Sequence, residues 1–183
     1  MPPAPSSPAD RSARLATLFH RRWAVPVLAE LHRGRGAKLV TLVNGLEASP
    51  GSIRLALDHL QQAGWVIPNP GYGHPMRPEY ILTPVGEALA PACRDLDTAL
   101  LRLDLREVGL RKWSMPTLDT LRDGPARFTE IRAGLPGVTD RALSLALGDL
   151  QAGELALRAR AERAAAYAAS RRARGLCAIL GGL

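Results

Sequence analysis

At 183 residues the chain is long enough for one ordinary domain or two small ones. Its apolar fraction of 46% supports a packed core, but with aromatics at 4% that core must be aliphatic. The net charge is +7, almost entirely from arginine (Lys38 and Lys112 are the lysines); no apolar run reaches bilayer length, and two distant cysteines make neither a metal site nor a disulfide framework.

Units of roughly 90 residues or fewer would each have a thin core, so mutual packing is expected to supplement it. Arginine suits bidentate phosphate contacts, and a basic surface favours a polyanion such as nucleic acid. Genomic base composition is the competing explanation, because a GC-rich genome writes Arg and Ala in place of Lys. Cys93 and Cys177 fit a reduced, cytoplasmic setting.

In chain order, the Pro- and Ser-rich start carries no apolar run. It is expected to be a disordered tail over residues 1–12, neither a signal peptide nor a membrane anchor. Trp23, Val27, Leu28 and Leu31 then have helical spacing, with Gly34 as a stop. A second short helix carries Leu39, Leu42 and Val43 and ends at Gly45. Ser49-Pro50 opens a third, with serine as N-cap and proline at the first helical position. Ile53, Leu57 and Leu60 form its buried stripe, and Gly64 ends it. Trp65-Val66-Ile67 and Glu79 to Leu82 read as two strands joined by the Pro/Gly-rich segment from Pro68 to Pro78. Thr83-Pro84 starts another helix. This is the order of a winged helix-turn-helix.

The second half repeats the first. RRWAVPVLAELHRG, from Arg21 to Gly34, aligns without a gap on RKWSMPTLDTLRDG, from Arg111 to Gly124. The match resumes at the same offset where Leu55-Ala56-Leu57 meets Leu145-Ala146-Leu147 and Leu60-Gln61 meets Leu150-Gln151. A single-residue shift between these blocks brings Leu39, Leu42 and Leu46 onto Phe128, Ile131 and Leu135. Two blocks at one spacing point to an internal duplication. In the second copy Thr139 is the expected cap, and Leu143, Leu147 and Leu150 the stripe.

These residues resemble the HxlR-type winged-helix transcription regulators, relatives of MarR and ArsR proteins. The resemblance rests on Lys112-Trp113, on Gly124-Pro125-Ala126-Arg127-Phe128 and on Leu135-Pro136-Gly137 in the second copy. The first copy supplies the end of a wing, Arg77-Pro78-Glu79-Tyr80-Ile81-Leu82-Thr83-Pro84-Val85-Gly86. It covers most of the chain beyond the tail. Its implication is a mainly helical protein with small β-hairpin wings, a tandem winged helix-turn-helix. Because such regulators generally carry one unit and bind DNA as homodimers, a chain with two looks like a covalent pseudo-dimer. The expected segments are a first winged domain over 13–92, a helical bridge over 93–110 and a second winged domain over 111–183.

Three departures from the family pattern shape the expectations. The family's cysteine near the N-terminus is missing before Trp23, so no thiol sensor is expected. The second wing is expected to be reduced, with Tyr167-Ala168-Ala169-Ser170 where the family has tyrosine-x-leucine-threonine. The recognition helices are apolar after Arg54 and Ser144, at Leu55-Ala56 and Leu145-Ala146, where polar residues normally read bases.

The candidate DNA-binding residues are Ser49, Ser52, Arg54 and His59 in the first unit, with Arg77 in its wing. In the second unit they are Thr139, Arg141 and Ser144, with Arg160, Arg163, Arg171 and Arg172 in a basic run that also holds Arg158 and Arg174. A solvated charged face is an equal reading of that run, and Arg77 pairing with Glu79 an equal reading of that arginine. Trp23 and Trp113 occupy equivalent helical core positions, which favours burial over ligand stacking. Trp65 is expected in the core and Tyr72 exposed at the wing tip. His20, His32, His59 and His74 are scattered without metal-ligand spacing. No catalytic constellation and no Gly-rich phosphate loop can be assembled, so neither an enzyme nor a cofactor is expected.

The leading expectation is a DNA-binding regulator whose unequal units read an asymmetric operator in double-stranded DNA, as a monomeric pseudo-dimer or a homodimer. A small-molecule effector is a further candidate partner; a membrane is not. The rival is a winged scaffold holding a small apolar ligand between the two units, near Trp23, Leu55, Trp113 and Leu145. A protein-interaction adaptor is a third option.

Overall fold

The computed structural model describes residues 8–71, 78–161 and 164–183. It is mainly helical, with two small antiparallel sheets. The first helix, α1 (Pro8–Leu18), begins inside the segment expected to be a tail. Leu15 and Leu18 lie on one side of it and are buried. Four residues before Leu15, and so on the same face, Arg11 pairs with Asp119 at 3.4 Å. Arg14 Nη1 donates to the Leu183 carbonyl at 3.0 Å. These partners, all far along the chain, are why a Pro/Ser-rich start nevertheless turns helical by residue 8.

The chain divides into two compact units. One runs over Arg21–Thr98; the other joins Ala99–Leu183 to α1. This division differs from the segments expected from the sequence. The N-terminal helix goes with the second unit, and no separate bridge starts at residue 93.

The first unit contains α2 (Ala24–Gly34), β1 (Ala37–Lys38), α3 (Leu39–Leu46), α4 (Pro50–Gln62), β2 (Val66–Pro68), β3 (Glu79–Leu82) and α5 (Pro84–Arg102), whose last turn belongs to the second unit. The stop expected at Gly34 falls one residue on, where Arg35 turns left-handed (φ 54°) and its amide bonds the Leu31 carbonyl. Likewise α3 passes Gly45 and ends against a left-handed Glu47. Ser49 caps α4 as expected, accepting the Ser52 amide at 3.2 Å. Val27, Leu28, Leu31, Leu42, Ile53, Leu57 and Leu60 form the core of this unit.

The second unit continues with α6 (Arg106–Gly109), α7 (Ser114–Thr120), β4 (Ala126–Arg127), α8 (Phe128–Ala133), α9 (Asp140–Ala152), β5 (Ala156–Ala161), β6 (Ala164–Ala169) and α10 (Arg174–Leu180). Thr139 caps α9 by accepting the Ala142 amide at 3.2 Å. Leu118, Leu121, Ile131, Leu143, Leu147, Leu150, Leu155 and Leu176 pack inside.

Each unit holds a three-stranded sheet with its last strand in the middle, in the orders β1-β3-β2 and β4-β6-β5. Ala37 pairs with Tyr80 in the first sheet, and Ala126 with Tyr167 in the second. The two-residue strands β1 and β4 are too short for any alternation to mark them in the sequence. The second hairpin is not reduced. Its six-residue strands pair from Ala156↔Ala169 to Ala161↔Ala164, whereas β2 and β3 are joined by three pairs. Alanine-rich strands escape notice because alanine has no β preference, yet a ladder needs only backbone.

Candidate nucleic-acid interface

The third helices of the two units have the same sequence of buried and exposed positions, residue for residue, over 51–60 and 141–150. Ile53, Ala56, Leu57 and Leu60 face inward from α4; Leu143, Ala146, Leu147 and Leu150 do so from α9. The opposite stripe follows from the helical period. On α4 it comprises Gly51, Arg54, Leu55, Asp58 and Gln62, and on α9 Arg141, Ser144, Leu145, Gly148 and Ala152. Leu55 is 52% exposed and Leu145 62%. Two large aliphatic side chains thus stand in solvent at equivalent places, each directly after a polar residue.

Of the candidates from the sequence, Arg54, Arg141 and Ser144 lie on these stripes. Ser49 and Thr139 are exposed at the helix starts, where their side-chain oxygens are engaged as caps. Ser52 and His59 are half-buried and off the stripe. Arg77 and Arg163 lie outside the described residues, as do Tyr72 and His74. Arg160 is a β5 residue opposite Ala165.

Arg171 and Arg172 are not part of the hairpin, which ends at Ala169; both are exposed in the turn before α10. Arg172 is committed within the fold. It pairs with Glu154 at 2.9 Å and donates to the Leu103 carbonyl at 3.0 Å. Arg171 lines a depression of about 480 Å³ with Arg122, Arg174, Asp123 and Cys177.

Trp23 and Trp113 are half-buried rather than enclosed in the core, each at the N-cap of its helix. A cation lies over each ring: Arg22 over Trp23 at 5.7 Å, and Lys112 over Trp113 at 5.1 Å. A tryptophan at a helix start has core on one side only, so its other face stays open to the preceding basic residue. Trp65, by contrast, is buried as expected.

These basic pairs, Arg21-Arg22 and Arg111-Lys112, are exposed and were not among the candidates. In the second unit Arg111 and Lys112 line a depression of about 240 Å³ with Trp113, Ala142, Leu145, Ala146 and Asp149. Arg111 Nη1 bonds Asp149 at 2.7 Å, an ion pair that holds its guanidinium firmly charged. Basic side chains therefore stand beside the exposed stripe of α9. The signal is present in the sequence, where a basic pair precedes both Trp23 and Trp113.

A short helix α8, a capped α9 with a solvent-facing stripe and the β5–β6 hairpin that follows are compatible with a winged helix-turn-helix, with cations standing at the α7 start. Residues 108–183 match the HxlR-like helix-turn-helix family. The match runs from Val108 in α6 to Leu183, and residues 1–107 lie outside it. Comparison with curated proteins and with solved structures gives no match. The HxlR-like family is one of DNA-binding regulators.

The HxlR-like segment also contains a buried carboxylate. Asp119 on α7 sits between Arg11 and Arg122, and burial raises its pKa although both arginines act to lower it. Cys93 in the first unit and Cys177 in the HxlR-like segment are free and buried, and burial pushes both thiols up. Such thiols are poor nucleophiles. Among the described residues no helix is long and apolar enough to cross a membrane, and no three His, Cys, Asp or Glu side chains are grouped to hold a metal.

Proposed function

We propose that the protein is a DNA-binding transcription regulator with two winged units in one chain, the second HxlR-like and the first its diverged duplicate. The observation that carries this reading is the matched stripe on α4 and α9. The two helices share their cap position, their buried set and the place of Arg54-Leu55 and Ser144-Leu145. On this reading each helix enters a major groove, Arg54, Arg141 and Ser144 contact phosphates or base edges, and the β2–β3 and β5–β6 hairpins flank the groove.

The chain then acts as a covalent pseudo-dimer. Its two stripes differ in charge, with Asp58 on one and Gly148 at the corresponding place on the other. The operator is accordingly asymmetric or an imperfect palindrome, bound by one chain.

Fluorescence anisotropy of generic duplex DNA across a salt series tests the reading. Affinity that falls steeply with salt is expected, because phosphate contacts release counterions. No binding even at low salt would overturn it. Footprints showing two chains on a perfect palindrome, each using one unit, would overturn the pseudo-dimer alone.

A second reading has one observation in its favour: Trp113 and Leu145 line the same depression, with room for a small apolar group. Thermal stabilisation by a hydrophobic compound, without DNA binding, would support it.

A further inference from the structure

The exposed leucines are anomalous for a surface that reads nucleic acid through hydrogen bonds, and they recur. Leu55 and Leu145 each follow a polar stripe residue and stand 52% and 62% exposed. Neither is needed by the core of its unit, which Ile53 and Leu57, or Leu143 and Leu147, already fill. Around Leu145 the surroundings are partly apolar: Ala142, Ala146 and the Trp113 ring share its depression, and Arg111 and Lys112 stand at its edge.

An apolar spot edged by cations, on the outer stripe of a helix that enters a major groove, has one natural counterpart on a base edge. That groove displays a single apolar group, the C5-methyl of thymine, and phosphates lie alongside it. Building on the DNA-binding reading above, we infer that Leu55 and Leu145 are specificity-determining residues that each contact a thymine methyl group in the major groove. The apolar replacement then changes what the recognition helices read and does not abolish reading. Hydrogen-bonding side chains distinguish donors from acceptors; a leucine at this place distinguishes thymine from cytosine and from uracil by the methyl alone.

The probe is a pool of 30-base-pair random duplexes, prepared once with thymidine and once with deoxyuridine throughout. The two pools differ only in the C5-methyl. Sequences selected by the protein from the thymidine pool are expected to carry a fixed thymine in each half-site. Replacing either by uracil should weaken binding by about threefold to fivefold, the effect of burying one methyl. The Leu145→Ala protein should lose the thymine-over-uracil preference at one half-site and Leu55→Ala at the other, while both retain the salt dependence of the wild type. Because both side chains are exposed, circular dichroism should find both variants folded.

Equal binding of thymine and uracil duplexes by the wild type, with a steep salt dependence intact, would overturn the inference and leave the DNA-binding reading standing. So would a preference for thymine that persists unchanged in both alanine variants, since it would then arise from duplex stiffness. Leucine variants that alter self-association and leave the base preference untouched would overturn it in favour of a contact between copies. Absence of salt-dependent binding by the wild type would remove both readings together.

Discussion

Thr83 and Ser170 do the same work in the two units. Thr83 Oγ1 donates to the Gly64 carbonyl at 2.8 Å and accepts the Gly86 amide at 3.2 Å. Ser170 Oγ donates to the Glu154 carbonyl at 2.6 Å and accepts the Ala173 amide at 3.3 Å. Their own amides bond the carbonyls of Trp65 and Leu155, at 3.0 and 2.9 Å. Gly64 and Glu154 are both left-handed, with φ of 73° and 57°. One hydroxyl thus ties the end of the third helix to the end of the hairpin's second strand and to the next helix.

Removing either hydroxyl should therefore loosen the hairpin. Thr83→Val and Ser170→Ala are each expected to cost about 1–2 kcal/mol, through a lost hydrogen bond and a lost cap. Urea denaturation followed by circular dichroism reads the loss. A change within error at both sites would mean that these hydroxyls exchange freely with water.

Gly86 and Ala173, which donate to these hydroxyls, mark where the two joints differ. A Cβ on Gly86 would collide with the Trp65 carbonyl oxygen, a backbone atom that cannot swing aside. Gly86→Ala should cost about 1–3 kcal/mol of stability by overpacking. The second unit already carries alanine there, fully buried. Denaturation midpoints of the variant check this directly.

Arg54→Ala and Arg141→Ala should each weaken binding to generic duplex DNA and reduce the slope of log affinity against log salt by about one. Arg172→Ala, whose guanidinium is held by Glu154 and the Leu103 carbonyl, should leave that slope nearly unchanged. Parallel salt titrations of the three proteins separate groove-facing cations from those that serve the fold.

Burial gives Asp119 a pKa above its ordinary value of 3.8. An acid whose pKa is higher folded than unfolded binds protons more readily in the native state. Its contribution to stability is fully present below 3.8 and is lost as pH rises through the folded value. The stability of the wild type minus that of Asp119→Asn should therefore increase as pH is lowered from 7 toward 4. A difference that shrank over that range would mean that Arg11 and Arg122 dominate over burial.

Leu15→Ala should destabilise the second unit, because Leu15 is fully buried there; the expected cost is about 2–5 kcal/mol. Hydrogen exchange should find α7 deprotected and α4 unaffected. Deprotection of α4 alone would assign α1 to the wrong unit.

How much of this was legible beforehand depended on range. Ser49 and Thr139 declare themselves as caps because the interaction spans three residues, and the stripes of α4 and α9 follow from helical period. The strands β2 and β3 are visible in Trp65-Val66-Ile67 and Tyr80-Ile81-Leu82, whose side chains favour a pleated surface. β5 and β6 leave little trace in the sequence because their side chains are mostly methyl groups, and their pairing rests on backbone register. α1 is not legible for a different reason: Asp119 and Leu183, its partners, are remote in sequence. Within the candidate interface the leucines were conspicuous by composition, but only the fold places Arg111 and Lys112 beside one of them.

The attachment of α1 to the second unit has a consequence for biosynthesis. Arg11 leaves the ribosome about a hundred residues before Asp119, its partner. At roughly 5–20 residues per second, α1 waits on the order of 5–20 s with Leu15 and Leu18 uncovered. The first unit can close in that interval, but the N-terminal segment cannot. A nascent chain stalled before α7 would expose an amphipathic helix to chaperones and proteases, so translation speed through the middle of the message bears on the yield of intact protein.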